Sequence, residues 1–206
     1  MSRLTAAVDV EDIPSLPRWI RKIVDKGEVD QAVKLVDYLN TAPDSPWNGK
    51  IALPNTSSSG SAIKQHSFVK SITKYILTPS NPLTAFQDSE KEKKIFLNYW
   101  IAITNLLDDG DDSVVYKYNG VELFCRFSIA FFMKCQDKGS FTVQTMTNLM
   151  KSCFENLEGE YAGVGHKEWW SKGSSASNIN SGAIGVIYQA MAIALNKSSF
   201  ISTVEI

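Results

Sequence analysis

Between Ile95 and Leu107 the apolar residues Ile95, Phe96, Tyr99, Trp100, Ile103, Leu106 and Leu107 recur at steps of three and four. That period lines one side of an α-helix and cannot be laid on one face of a strand. Asp88 and Ser89 precede the run as N-cap candidates, because a short polar side chain can accept from the unpaired N–H groups of a first turn. The first turn itself, Glu90 to Lys94, reads as exposed and charged.

The same period returns along most of the chain. Pro14 to Lys26 carries Leu16, Trp19, Ile20, Ile23 and Val24 and meets Gly27 as a stop; Val29 to Leu39 follows and ends before Pro43, so the two are expected as a hairpin. A third helix is predicted over about Ser61 to Leu77, with Ile63, Phe68, Ile72, Tyr75 and Ile76 inward. Further helices are predicted over Val121 to Met133 or Cys135, Thr142 to Leu157 and Ser181 to Asn196. Ile51 to Leu53 suits one brief strand or an extended link, and Val114 to Tyr118 a second extended piece. The expectation is therefore an all-α fold, or an α-dominated one with a minor short hairpin: an irregular bundle of about seven helices in a single helical domain over 1–206, with long loops at 43–60 and 158–180.

Of 206 residues, 44% are hydrophobic, which a chain of this length can bury as a core. Lys and Arg number 21 against 22 Asp and Glu, so the broad positive field of a stand-alone duplex-binding module is absent and any nucleic-acid contact must be local. The longest apolar stretches are broken by Arg126 and Gln189 or are too short to span a bilayer, and no apolar run follows Met1 as a secretory leader would require. No membrane contact and a cytoplasmic location are expected. Cys125, Cys135 and Cys153 are an odd set on apolar helical segments, read as reduced core thiols.

Chemistry-bearing patterns are sparse. Two histidines, His66 and His166, match no zinc spacing, and no phosphate-wrapping glycine loop is present; neither a cofactor nor a metal is expected, and no catalytic residue is assigned. Asp108 to Asp112 is contiguous rather than alternating, which fits an acidic helix-terminating turn better than a cation loop. A hydrolase built on these carboxylates and a divalent ion is a third-ranked reading.

The segment Gly163 to Gly182 is the most distinctive. It joins His166, Lys167, Trp169, Trp170 and Lys172 to the small polar residues Ser174, Asn178 and Asn180, then runs into a helix N-terminus where a nucleic-acid phosphate could be held. The competing reading is a surface loop pinned by its tryptophans, with Asn180 or Ser181 capping the helix. Two basic helical faces offer further phosphate contacts: Arg18, Arg21, Lys22 and Lys26 on the first helix, Lys64, Lys70 and Lys74 on the third. Solvation alone also accounts for such charges.

Four features, taken in order, resemble the C-terminal part of the DGQHR-domain (DndB-like) family. They are Asp44-Ser45-Pro46-Trp47-Asn48-Gly49-Lys50-Ile51, the loop and helix at Ser61 to Leu77, the Tyr99-Trp100-Ile101-Ala102 helix, and the loop and helix from Trp169 to Gly182. The Asp-Gly-Gln-His-Arg signature itself occurs nowhere between Met1 and Ile206. The resemblance implies a truncated relative, or a helical half whose signature domain lies upstream or on another protein, and a non-catalytic, DNA-associated binding or regulatory role in bacterial or phage DNA modification and defence. A protein-interaction or scaffold domain, docking a protein partner or a second copy of the chain, stands as the alternative.

Overall fold

The computed structural model describes residues 18–54, 62–108, 110 and 112–197, and of residues 18–26 only the helical backbone. Six α-helices make up the bulk: α1 (Arg18–Thr41), α2 (Gln65–Tyr75), α3 (Ser89–Leu107), α4 (Tyr118–Asp137), α5 (Val143–Glu155) and α6 (Ser181–Lys197). Among the described residues the fold is all-α, as the periodicity requires, apart from two strands of two residues each. β1 (Ile51–Ala52) pairs in parallel with β2 (Ile63–Lys64), with Ile51 opposite Ile63.

The stripe read from α3 is the centre of the molecule. Trp100 is fully buried and meets Trp47, Phe68, Phe96, Tyr99 and Phe124, with ring centroids 5.0 to 6.3 Å apart. Helix α3 packs on α5, α2 lies on both α1 and α4, and α6 closes against α4 and α5. One contiguous apolar core results among the described residues. Asp88 caps α3 by accepting from the N–H groups of Glu90 and Lys91, and Thr142 caps α5 from Thr145. Each cap supplies an acceptor that the helix cannot provide for itself.

The Ser45 to Ile51 stretch is a tight turn that inserts a tryptophan. Asn40, near the end of α1, accepts from the Ile51 N–H at 3.0 Å and donates its amide to the Ile51 carbonyl at 3.1 Å, imitating a strand partner. Gly49 takes a positive φ of 68°, a region that side chains with a Cβ rarely occupy. Its N–H donates to the Asn40 carbonyl. Trp47 is thereby held 4.8 Å from Phe68 and 5.0 Å from Tyr116, fully buried.

Several expected boundaries move. The first two predicted helices are one: Gly27 lies inside α1, so there is no hairpin. Glycine costs about 1 kcal/mol in a helix interior, which the burial of Ala32, Leu35, Val36 and Leu39 outweighs. Helix α2 begins at Gln65 because Ile63 and Lys64 are used in β2. Val114–Tyr116 is a 3-10 turn rather than an extended piece, and the long segment after α5 folds into 3-10 turns at Gly159–Gly165, Lys167–Trp170 and Ser175–Asn178. In the first turn of α3, Glu92 is buried rather than exposed, since Gln31 of α1 covers it and donates to its carboxylate at 2.9 Å. Burial pushes that carboxyl above its usual range, while the Gln31 bond works against the rise. The predicted loop from Thr56 to Ser61 and the predicted helix start at Pro14 lie outside the described residues.

Candidate functional site

The Gly163 to Gly182 segment is drawn down by its tryptophans. Trp170 is fully buried, 5.3 Å from Phe124, and its indole N–H donates to the Val164 carbonyl at 2.9 Å; Trp169 stacks edge-on to it at 4.8 Å. Gly163 and Gly165 are needed for this packing, because a Cβ at either would come within 2.9 Å of Trp169 or 2.6 Å of Phe154. The Ser174 hydroxyl donates to the Trp169 carbonyl, and the Asn180 carboxamide accepts from the Ala183 N–H at 2.9 Å, so Asn180 caps α6. Lys167 and Asn178 are exposed.

The remaining residues of that segment do not converge. Lys172 and Ser177 border a cleft of about 370 Å³ with Asp112, Lys117, Tyr118 and Asn119, where Lys172 is paired with Asp112 at 3.1 Å. His166 borders a different cleft, about 450 Å³, with Lys151, Phe154 and Glu155. Of the acidic run, Asp108 and Asp112 have partners within the described residues. Asp108 ends α3, accepts from the Gly110 N–H and takes the Tyr116 hydroxyl at 2.8 Å. Among the described residues no three of the His, Cys, Asp and Glu side chains gather as a metal site would require; Asp109 and Asp111 lie outside them.

Helix α1 packs on α2, the element that carries the second basic set. Lys64, His66, Lys70 and Lys74 are exposed on or at the start of α2, a helix whose sequence holds no acidic residue. Lys74 is committed to Glu122; Lys64 and Lys70 are in no ion pair among the described residues. Between the helices runs an open groove of about 440 Å³ lined by Val29, His66, Val69, Lys70, Thr73 and Lys74, almost wholly apolar at its surface. The lysines therefore contribute their methylene stems to the groove and hold their charges at its edge. Arg18, Arg21, Lys22 and Lys26 are carried by the N-terminal half of α1; their side chains lie outside the described residues.

A site not singled out from sequence is Glu122 on α4. Its residue exposure is 6%, and four donors surround the carboxylate: Tyr75 at 2.8 Å, Ser71 at 3.0 Å, Lys74 at 3.1 Å and Tyr118 at 3.2 Å. Burial by itself would push the carboxyl up; the Tyr75, Lys74 and Ser71 donors outweigh it and hold the group below the usual carboxylate range. Hydrogen bonding with Tyr75 and Glu122 raises Lys74, and burial raises Tyr75 and Tyr118, so all three keep their protons as donors. The available signal was a lone glutamate inside the apolar run after Val121, since an ionised group among apolar neighbours demands partners.

All three cysteines are buried and unpaired. Burial pushes the Cys125 thiol well up and those of Cys135 and Cys153 up to about 12, so none is a ready nucleophile. No described helix is long and apolar enough to cross a membrane. Compared with models of protein families, with curated proteins and with solved structures, the chain matches none.

Proposed function

We propose that this chain is a non-catalytic binding module that contacts DNA through the α1–α2 face, in a regulatory role of the kind its DGQHR-domain resemblance implies. One observation supports the reading: Lys64 and Lys70 are exposed at the start of and along α2, a helix without acidic residues, in a chain whose net charge is only −1. Lys64 and Lys70 have no carboxylate partner among the described residues, so each can neutralise a phosphate and release a counterion. The Gly163 to Gly182 segment supports it less, since Lys172 is already paired with Asp112.

Fluorescence anisotropy with a labelled duplex oligonucleotide tests the proposal. The chain should bind at low salt, and Lys64→Gln with Lys70→Gln should cut affinity about tenfold and reduce the salt slope by about two. Lys167→Ala with Lys172→Ala should change it less. No binding of the duplex at low salt removes the reading.

A second reading, protein docking without nucleic acid, draws on α6. Val186 and Ile193, two turns apart on one side of that helix, are 47% and 60% exposed. Sedimentation of the chain would show a concentration-dependent dimer, lost in Ile193→Glu, if that face pairs with a second copy.

A further inference from the structure

The chain holds two Asn-Gly pairs, Asn48-Gly49 and Asn119-Gly120. In such a pair the backbone nitrogen after the asparagine is open to react with the asparagine side chain, because glycine has no Cβ to shield it. The fold puts the two pairs in opposite situations.

Asn48 is exposed, and its carboxamide makes no hydrogen bond among the described residues. Asn48 and Gly49 are the corners of a turn outside any helix or strand, closed by the Lys50 N–H donating to the Trp47 carbonyl at 2.9 Å. A Cβ built on Gly49 would meet nothing within 4 Å, so no neighbour crowds the pair. One backbone bond restrains the Gly49 nitrogen, from its N–H to the Asn40 carbonyl at 3.0 Å. A bond in an exposed turn opens far more often than one held by a packed helix.

Asn119 lies in the first turn of α4, half-buried, and donates its amide to the Ala176 carbonyl at 3.4 Å. Gly120 is buried and clamped: a Cβ there would come within 2.5 Å of the Val115 carbonyl oxygen and 2.6 Å of the Val114 one. Closing a five-membered ring onto the next nitrogen requires a backbone torsion at the asparagine that helical geometry excludes. The start of α4 would have to unwind first.

We infer that Asn48 is a site of spontaneous deamidation and isomerisation, and that α4 protects Asn119 from the same reaction. A base takes the Gly49 amide proton, the nitrogen forms a bond to Asn48 Cγ, and the Cγ–Nδ2 bond breaks. Ammonia leaves with a proton returned by the conjugate acid, so the base is regenerated. Water then adds to either carbonyl of the succinimide and opens it to aspartate or isoaspartate, with no oxidant or cofactor. Isoaspartate routes the main chain through its own Cβ and Cγ, adding one carbon to the turn closed between Trp47 and Lys50. That turn seats Trp47 against Phe68, Trp100 and Tyr116, so isoaspartate loosens the core, whereas aspartate only adds a surface charge.

The full-length chain, held for days at mildly alkaline pH and digested with trypsin, tests this by mass spectrometry. The two pairs fall on separate peptides, Leu35–Lys50 and Tyr118–Arg126, and fragment ions distinguish Asn48 from Asn40. In the native chain Asn48 should convert at least about tenfold faster than Asn119, and in urea the two should convert alike, since tertiary protection is gone. Comparable native rates at both positions overturn the assignment, as does a native Asn48 left unchanged while the denatured chain converts it. The aged form, separated by ion exchange and shown to carry isoaspartate by isoaspartyl methyltransferase labelling, should melt several degrees below the fresh chain, and Asn48→Asp close to it. Equal melting of the aged form and Asn48→Asp overturns the loosening of the Trp47 turn.

Discussion

Removal of the Glu122 carboxylate gives the sharpest test of how α2 and α4 are held together. Glu122→Ala takes the acceptor away from Tyr75, Ser71, Lys74 and Tyr118 at once. The hydroxyls of Tyr75 and Ser71 are the better buried donors, and each lost bond costs about 1 kcal/mol, more where the acceptor is ionised. Lys74 is 56% exposed in its side chain, so water recovers most of its charge and its pairing adds only some tenths of a kcal/mol. The total comes to about 3 kcal/mol, short of the loss for a fully enclosed ion pair. For a chain of this size that lowers Tm by about 6–12 °C.

The pH dependence carries the sign. The folded Glu122 carboxyl sits below its ordinary range, so its contribution is fully present above the unfolded value of about 4.3 and fades as pH falls through the folded value. Circular dichroism melts of the unaltered chain, Glu122→Ala and Glu122→Gln between neutral and acidic pH would check both points. The Gln variant keeps an acceptor oxygen and should lose less, while the gap between it and the unaltered chain narrows with acid. A Tm drop under about 2 °C for Glu122→Ala, or a gap that does not change with pH, would refute the reasoning.

Glycine position should decide the sign of an alanine substitution. Gly27→Ala, inside α1 with nothing within 4 Å of the added Cβ, is expected to stabilise by about 0.5–1 kcal/mol. Gly120→Ala in α4 would drive its Cβ to 2.5 Å from the Val115 carbonyl oxygen and should destabilise by about 2 kcal/mol or more, both readable by urea unfolding. Ellman's reagent should leave Cys125, Cys135 and Cys153 unmodified in the native chain at pH 8 and titrate three thiols in denaturant; rapid native labelling would contradict their burial.

Local period and punctuation were enough for most of the architecture. Leu107 ends α3, Asp88 and Thr142 cap where they were expected to, and the apolar stripes of α3 to α6 face the core, because helix spacing and capping are properties of adjacent residues. Asn180 took the cap of α6, the option left open beside phosphate binding, and only the neighbouring packing of Trp169 and Trp170 explains why that loop lies down on α4. The continuity of α1 through Gly27 was decided elsewhere, by the burial of residues further along that helix.

The same division runs through the sites. That Arg18, Arg21, Lys22 and Lys70 are basic and on helices was legible from the chain; that their helices pack against each other was not, since adjacency of two helices depends on which apolar faces find each other. Glu122 and its donors, which come from α2 and from four residues earlier in α4, are one site only after packing has removed water from between them. Sequence specifies what each segment can bury; the removal of water by distant segments specifies which polar groups must then satisfy one another.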